Sequence, residues 1–175
     1  MHDAQRIVTF IEKDDPLIAR LLRLMITSGL RIREACYLRA QDIDLEHGII
    51  QLNVKDNVNR TKGSRPRQVF YPSESQDFIG ELKSIGNKSP TGHIFPDRGS
   101  LPNRARARVR AACQMLNIPS LGTHGFRKTF AVKDYEVALK KGESDRHALL
   151  ATSRQLGHNR SAVTRQSYIP PEVRK

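Results

Sequence analysis

The stretch Pro16–Ser28 constrains this chain more than any other. Leu17, Ile18, Leu21, Leu22, Leu24, Met25 and Ile26 leave a helix there with almost no polar side, and such a helix must be enclosed by other elements. Asp14-Asp15-Pro16 sets its start, because proline at the first helical position gives up no intrahelical hydrogen bond, and Gly29 can end it. At 175 residues the chain can wrap one such helix in a single core and is too short for two comfortable ones. One domain, residues 1–175, is expected.

Around that helix the apolar spacing predicts a first helix over residues 3–12, with Ile7, Val8, Phe10 and Ile11 recurring at helical intervals, and a short one over 30–38. Asp42-Ile43-Asp44 and His47-Gly48 read as a turn. Residues 49–54 and 67–71 read as two strands that pair as a hairpin, with Lys62-Gly63 near the connection. Further helices are expected over 74–85, stopped by Gly86, and over 103–116, 122–141, 144–156 and 162–168. Residues 87–102, rich in Gly, Pro and Ser, read as a loop that touches the core through His93-Ile94-Phe95. The class is mainly α (α+β): a helical bundle with a small antiparallel sheet on one side.

The net charge is +12, which points to a polyanionic partner such as nucleic acid. Its placement is uneven. Residues 1–100 carry 15 basic and 13 acidic side chains, whereas residues 101–175 carry 15 basic and 5 acidic, so the anion-seeking part is the C-terminal one. No apolar run approaches the ~18 residues of a spanning helix, and the first residues lack a signal-peptide layout, so a soluble, cytoplasmic protein without membrane contact is expected. Cys36 and Cys113 sit in apolar helical settings and read as buried free thiols.

Within the basic part, His124 and Arg127 are spaced to share one helix face and converge on one ligand. Breaking a phosphodiester without a metal requires a nucleophile, an acid for the leaving oxygen, and donors around the non-bridging oxygens. Arginine suits the last task, because its planar fork donates two hydrogen bonds at once and keeps its charge.

Such residues stand here in a recognisable order. Thr27-Ser28-Gly29-Leu30-Arg31-Ile32-Arg33-Glu34 resembles the first-arginine box of the tyrosine recombinase (phage integrase) family, and Thr61-Lys62-Gly63 resembles its hairpin lysine. His124-Gly125-Phe126-Arg127 is similar to its His-x-x-Arg box, Leu156-Gly157-His158 to its Leu-Gly-His element, and Tyr168 to its nucleophile. The resemblance runs from Thr27 to Tyr168, and the expected helices and hairpin suit that family's catalytic domain.

That resemblance implies a site-specific recombinase or integrase that cuts and religates double-stranded DNA through a covalent 3′-phosphotyrosine, with no cofactor and no metal. Arg31 and Arg127 clamp the scissile phosphate in this scheme, His124 and His158 donate or shuttle protons, Lys62 protonates the departing 5′ oxygen, and Tyr168 attacks. A free tyrosine titrates near pH ~10, so its attack at neutral pH requires neighbouring cations and a proton acceptor. The resemblance also implies that Glu34 is a buried structural support. It implies four subunits on DNA, an isolated catalytic domain that is monomeric, and a DNA-clamping N-terminal domain that this chain lacks.

Some features depart from the family's pattern. Lys128 stands where histidine is frequent, and Arg33 where a small residue is usual. From His158 to Tyr168 is 10 residues, one more than is common, so a shifted seat for the tyrosine is expected. Arg104, Arg106, Arg108 and Arg110 read equally as a solvated face or, with Lys128, as contacts to the DNA backbone. Three other readings stand beside the main one: a relaxing type IB topoisomerase of the same chemistry, a non-catalytic DNA-binding relative, and a metal-dependent nuclease using Asp42, Asp44 and Glu46. The turn-like setting of those carboxylates argues against the last.

Overall fold

The computed structural model describes residues 2–52, 66–158 and 161–174. Helix α1 (His2–Glu12) packs on α2 (Pro16–Ser28), the apolar centre of the bundle. Asp15 caps α2 by accepting from Ile18 N, and Gly29 ends it at φ 63°, with its N–H donating to Met25 O. No side chain fits at Gly29. A Cβ there would stand 2.3 Å from the Phe130 ring, so glycine supplies both the left-handed turn and the close approach of a neighbouring helix.

The short α3 (Ile32–Cys36) is followed by three strands in the order β1-β2-β3. β2 (Ile49–Leu52) and β3 (Arg67–Phe70) pair antiparallel, Ile50 opposite Val69. β1 (Ile43–Asp44) lies within the segment read above as a turn; Ile43 pairs with Ile50 across that turn and buries its side chain.

Helix α4 (Gln76–Lys88) likewise departs from expectation, because it runs through Gly86. That glycine is buried where a Cβ would stand 2.9 Å from Ala40 Cβ, so it permits close packing of a helix it does not stop. The segment 89–100 holds Ile94 and Phe95 in the core, with His93 bridging to Arg39. Helices α5 (Leu101–Met115), α6 (Gly122–Lys140), α7 (Asp145–Leu156) and α8 (Ser161–Ser167) complete the chain.

Buried apolar residues form two clusters. The larger joins α1 to α5 and the sheet and includes Phe126, and the smaller gathers Phe130, Ala131, Tyr135, Ala148, Leu149, Leu156, Tyr168 and Ile169. Helix α6 contributes to both, which explains why its apolar residues are not confined to one stripe. The residue between Phe126 and Phe130 that matters most is Arg127, at the seam. Both cysteines are buried free thiols, and burial pushes the Cys36 thiol up to about 12. No helix among the described residues is long and apolar enough to cross a membrane.

Candidate active site

Two glycine-terminated helices create the seat of the site. Gly29 closes α2 and Gly157, at φ 66°, closes α7, and a stopped helix leaves its last carbonyls without backbone partners. Gly29 O and Leu156 O both accept from the Arg127 guanidinium, through Nη1 and Nη2. Helix C-termini carry partial negative charge, so two of them converging can hold a cation away from water. Arg127 is fully buried there, at 0% exposure. Burial and the nearby Arg31 charge bring its pKa down to about 10 while Tyr168 acts in the opposite sense, and it stays charged at neutral pH.

Tyr168 follows α8 and faces the same guanidinium. Arg127 Nε donates to its phenol oxygen at 3.4 Å, and the guanidinium carbon is 5.7 Å from the ring centroid. The His124 ring meets Tyr168 edge-on, with centroids 5.0 Å apart, and the His158 ring is tilted against it at 4.8 Å. The ten-residue interval from His158 therefore leaves Tyr168 beside Arg127.

Both histidines lie below their ordinary pKa. For His124 partial burial leads, followed by the charges of Arg127, Lys128 and Arg31. For His158 burial and the Arg127, Arg31 and Arg67 charges bring it to about 4, so it is neutral at pH 7.

Arg31 is set by a buried carboxylate. Glu34, at 0% exposure, accepts from Arg31 N at 2.7 Å and Arg31 Nη1 at 2.8 Å. Its other partner is Arg67, whose Nη1 and Nη2 reach the two oxygens at 2.8 and 2.6 Å. Burial alone would raise the Glu34 pKa, but the Arg67 hydrogen bond and charge, with those of Arg31, hold it below the usual carboxylate value. Glu34 stays ionised, and Arg31 keeps the rest of its guanidinium toward solvent, its side chain 34% exposed.

Arg67 is a site residue that the sequence reading passed over. It lies on the same face of β3 as buried Val69, so strand alternation turns it inward, where a cation needs a buried carboxylate. It also packs under the α7 terminus, since a Cβ on Gly157 would stand 2.8 Å from Arg67 Cδ. Its Nε is buried with no hydrogen-bond partner among the described residues.

The tyrosine segment has anchors of its own, also unread in the sequence. Asp145 accepts from Tyr135 Oη at 2.5 Å and from Arg165 Nη2, tying α6, α7 and α8 together. Arg174 folds back onto Arg165 O at 2.7 Å and Ile169 O at 2.9 Å.

The remaining expected residues divide. Lys62 lies outside the described residues. Lys128 is exposed, and its charge reaches His124. Arg104 and Arg108, one helical turn apart, both engage Asp15, the first at 3.0 and 2.8 Å and the second at 3.3 Å, so these two tie α5 to the start of α2. Arg106 donates to Asn103 at 2.7 Å, and Arg110 is exposed. Asp42 accepts from Arg39 N and Asp44 from His47 N, as turn-stabilising carboxylates do. Among the described residues no three His, Cys, Asp or Glu side chains are grouped to hold a metal ion.

Comparison with known proteins decides what this arrangement belongs to, because the model of the phage integrase family matches residues 1–173. The chain belongs to the phage integrase family. Among curated relatives, this integrase-family chain is 34% identical over 110 residues to tyrosine recombinase XerC of Xanthomonas axonopodis pv. citri (strain 306), covering 59% of the chain and 34% of that protein. It is 30% identical over 112 residues to a probable integrase/recombinase of Acholeplasma phage L2, covering 63% of the chain and 37% of that protein. It thus spans about a third of the length of either relative.

The fold matches the crystal structure of XerA recombinase with a TM-score of 0.68 at 18% identity, over 99% of this chain and 60% of that one. It matches the catalytic domain of bacteriophage HP1 integrase with a TM-score of 0.62 at 19% identity, over 98% of this chain and 87% of that one. The integrase fold is thereby assigned to a helical bundle with a three-stranded antiparallel sheet.

Proposed function

We propose that this chain cuts and rejoins double-stranded DNA in site-specific recombination, through a covalent 3′-phosphotyrosine at Tyr168. The observation that carries the reading is the contact of the Tyr168 phenol oxygen with Arg127 Nε at 3.4 Å, with His124 and His158 ranged against the same ring. A buried tyrosine hydroxyl needs only one neutral partner; here its partner is a guanidinium, and two imidazoles pack against its ring, the residue types that in-line attack on a phosphodiester requires.

In this scheme Arg31 and Arg127 hold the non-bridging oxygens. Tyr168 Oη bonds to phosphorus as the bond to the 5′ oxygen breaks, and Lys62 supplies the leaving oxygen's proton. Glu34 and Arg67 keep Arg31 aimed. Exposed Lys128, with Arg106 and Arg110, is assigned to the DNA backbone. The names of the relatives, a XerC recombinase and a phage integrase, support the same reading, which places four subunits on paired duplexes in the bacterial cytoplasm.

A suicide DNA substrate, in which a nick lets the released fragment diffuse away, tests the reaction. The chain is expected to accumulate a covalent protein–DNA adduct, unchanged by excess chelator, at concentrations high enough to load it on DNA. Cleavage without an adduct, or an adduct lost in chelator, would sink the proposal.

A further inference from the structure

The tyrosine segment contains a buried polar side chain to which no role has been given. Thr164, at 0% exposure, lies one helical turn before Tyr168 on α8. Its carbonyl accepts from Tyr168 N at 3.0 Å and from Ile169 N at 3.2 Å, and its Oγ1 is 2.8 Å from His158 Nδ1. Thr164 therefore joins the backbone of the nucleophile to the imidazole that faces it.

The other nitrogen of that imidazole faces a pure donor. Arg127 Nη2 stands 3.5 Å from His158 Nε2, and a guanidinium has no lone pair to accept with, so Nε2 must present its own. A neutral imidazole carries one proton, which then resides on Nδ1 and is donated to Thr164 Oγ1. Burial, and after it the charges of Arg127, Arg31 and Arg67 around the ring, disfavour a second proton.

We propose that Thr164 is a positioning residue that fixes the His158 proton on Nδ1 and thereby turns the bare Nε2 to the Arg127 guanidinium, which holds the neutral ring against Tyr168. The consequence for cleavage rests on the function proposed above. With the proton on Nδ1, the bare Nε2 accepts from Arg127 Nη2, so the neutral ring and the guanidinium hold each other in place beside Tyr168. If Nδ1 were instead the bare nitrogen, Nε2–H would face Arg127 donor to donor and the contact that holds the ring would be lost.

Nitrogen-15 NMR of the uniformly labelled chain reads the tautomer directly, without DNA. His158 is expected in the Nδ1–H form in the wild type and in Thr164→Ser, which keeps the hydroxyl. In Thr164→Val, which keeps the shape and loses the hydroxyl, the ring is expected to populate both tautomers. On suicide DNA, Thr164→Val is expected to cleave about 10–100-fold more slowly at saturating DNA, as for other residues that orient an active-site imidazole, with DNA affinity unchanged and Thr164→Ser near wild type. A wild-type Nε2–H tautomer overturns the proposal, as does a Thr164→Val variant that keeps both the wild-type tautomer and the wild-type rate. A wild type that forms no adduct counts against the recombinase reading alone, and the tautomer still decides the role of Thr164.

Discussion

Arg127→Ala is expected to destabilise the fold by about 3 kcal/mol or more, since each buried acceptor left without its donor costs about 1–3 kcal/mol, and to lower strand cleavage by at least ~10³-fold. The two effects share one cause. The guanidinium is the donor for Gly29 O at the end of α2, for Leu156 O at the end of α7, and for the Tyr168 phenol. Alanine leaves these acceptors in a space closed to water, at the seam between the two apolar clusters. Arg127→Lys separates the contributions. Lysine supplies the charge from a single nitrogen and cannot span two helix ends and the tyrosine together, so an intermediate stability and a cleavage loss of about 10²-fold are expected. Denaturant unfolding and adduct yield on suicide DNA measure the pair; an Arg127→Ala protein as stable as wild type would show that the two carbonyls do not depend on this side chain.

Glu34→Ala is the second large effect. It leaves Arg31 and Arg67 facing each other across an empty, buried carboxylate position, with an expected cost again of about 3–5 kcal/mol. Glu34→Gln keeps the size and one acceptor oxygen but not the charge, and should fall between. Because the folded-state pKa lies below the ordinary glutamate value, the Glu34 contribution is fully present above that ordinary value and is lost as pH falls through the lower folded one. The stability difference between wild type and Glu34→Gln should therefore be constant from pH 7 down to about 5 and narrow in stronger acid. A difference that widens on acidification would mean that the carboxyl is neutral in the folded protein. Cleavage by Glu34→Gln should fall as well, since Arg31 loses the contact that sets its direction.

Much of this was legible in the sequence because periodicity and punctuation agreed. The apolar stretch after Pro16 and the stop at Gly29 gave α2 its observed ends, and the spacing of His124 and Arg127 placed both near Tyr168. Gly86 misled because a glycine in an apolar pattern can end a helix or let it pack closely, and only the position of Ala40 separates the two. Strand β1 was missed because two residues are too few to show alternation. Arg104 and Arg108 looked like free cations, since nothing in their own segment reveals that Asp15, 89 and 93 positions away, lies under them. Arg67 was legible in principle as a cation at an inward position of a strand, and its link to Glu34, 33 residues away, is the contact that joins the sheet to the site. The Asp145–Arg165 and Thr164–His158 contacts depend on how α7 and α8 meet, which no local pattern encodes.

The account stands most directly on which atom of the protein carries the DNA. After reaction with a suicide substrate, nuclease trimming and proteolysis, mass spectrometry of the wild-type chain should find a nucleotide joined through its 3′ phosphate to the peptide containing Tyr168, and Tyr168→Phe should fold normally and form no adduct. A nucleotide on Tyr37, Tyr71 or Tyr135, or an adduct that survives Tyr168→Phe, would contradict it.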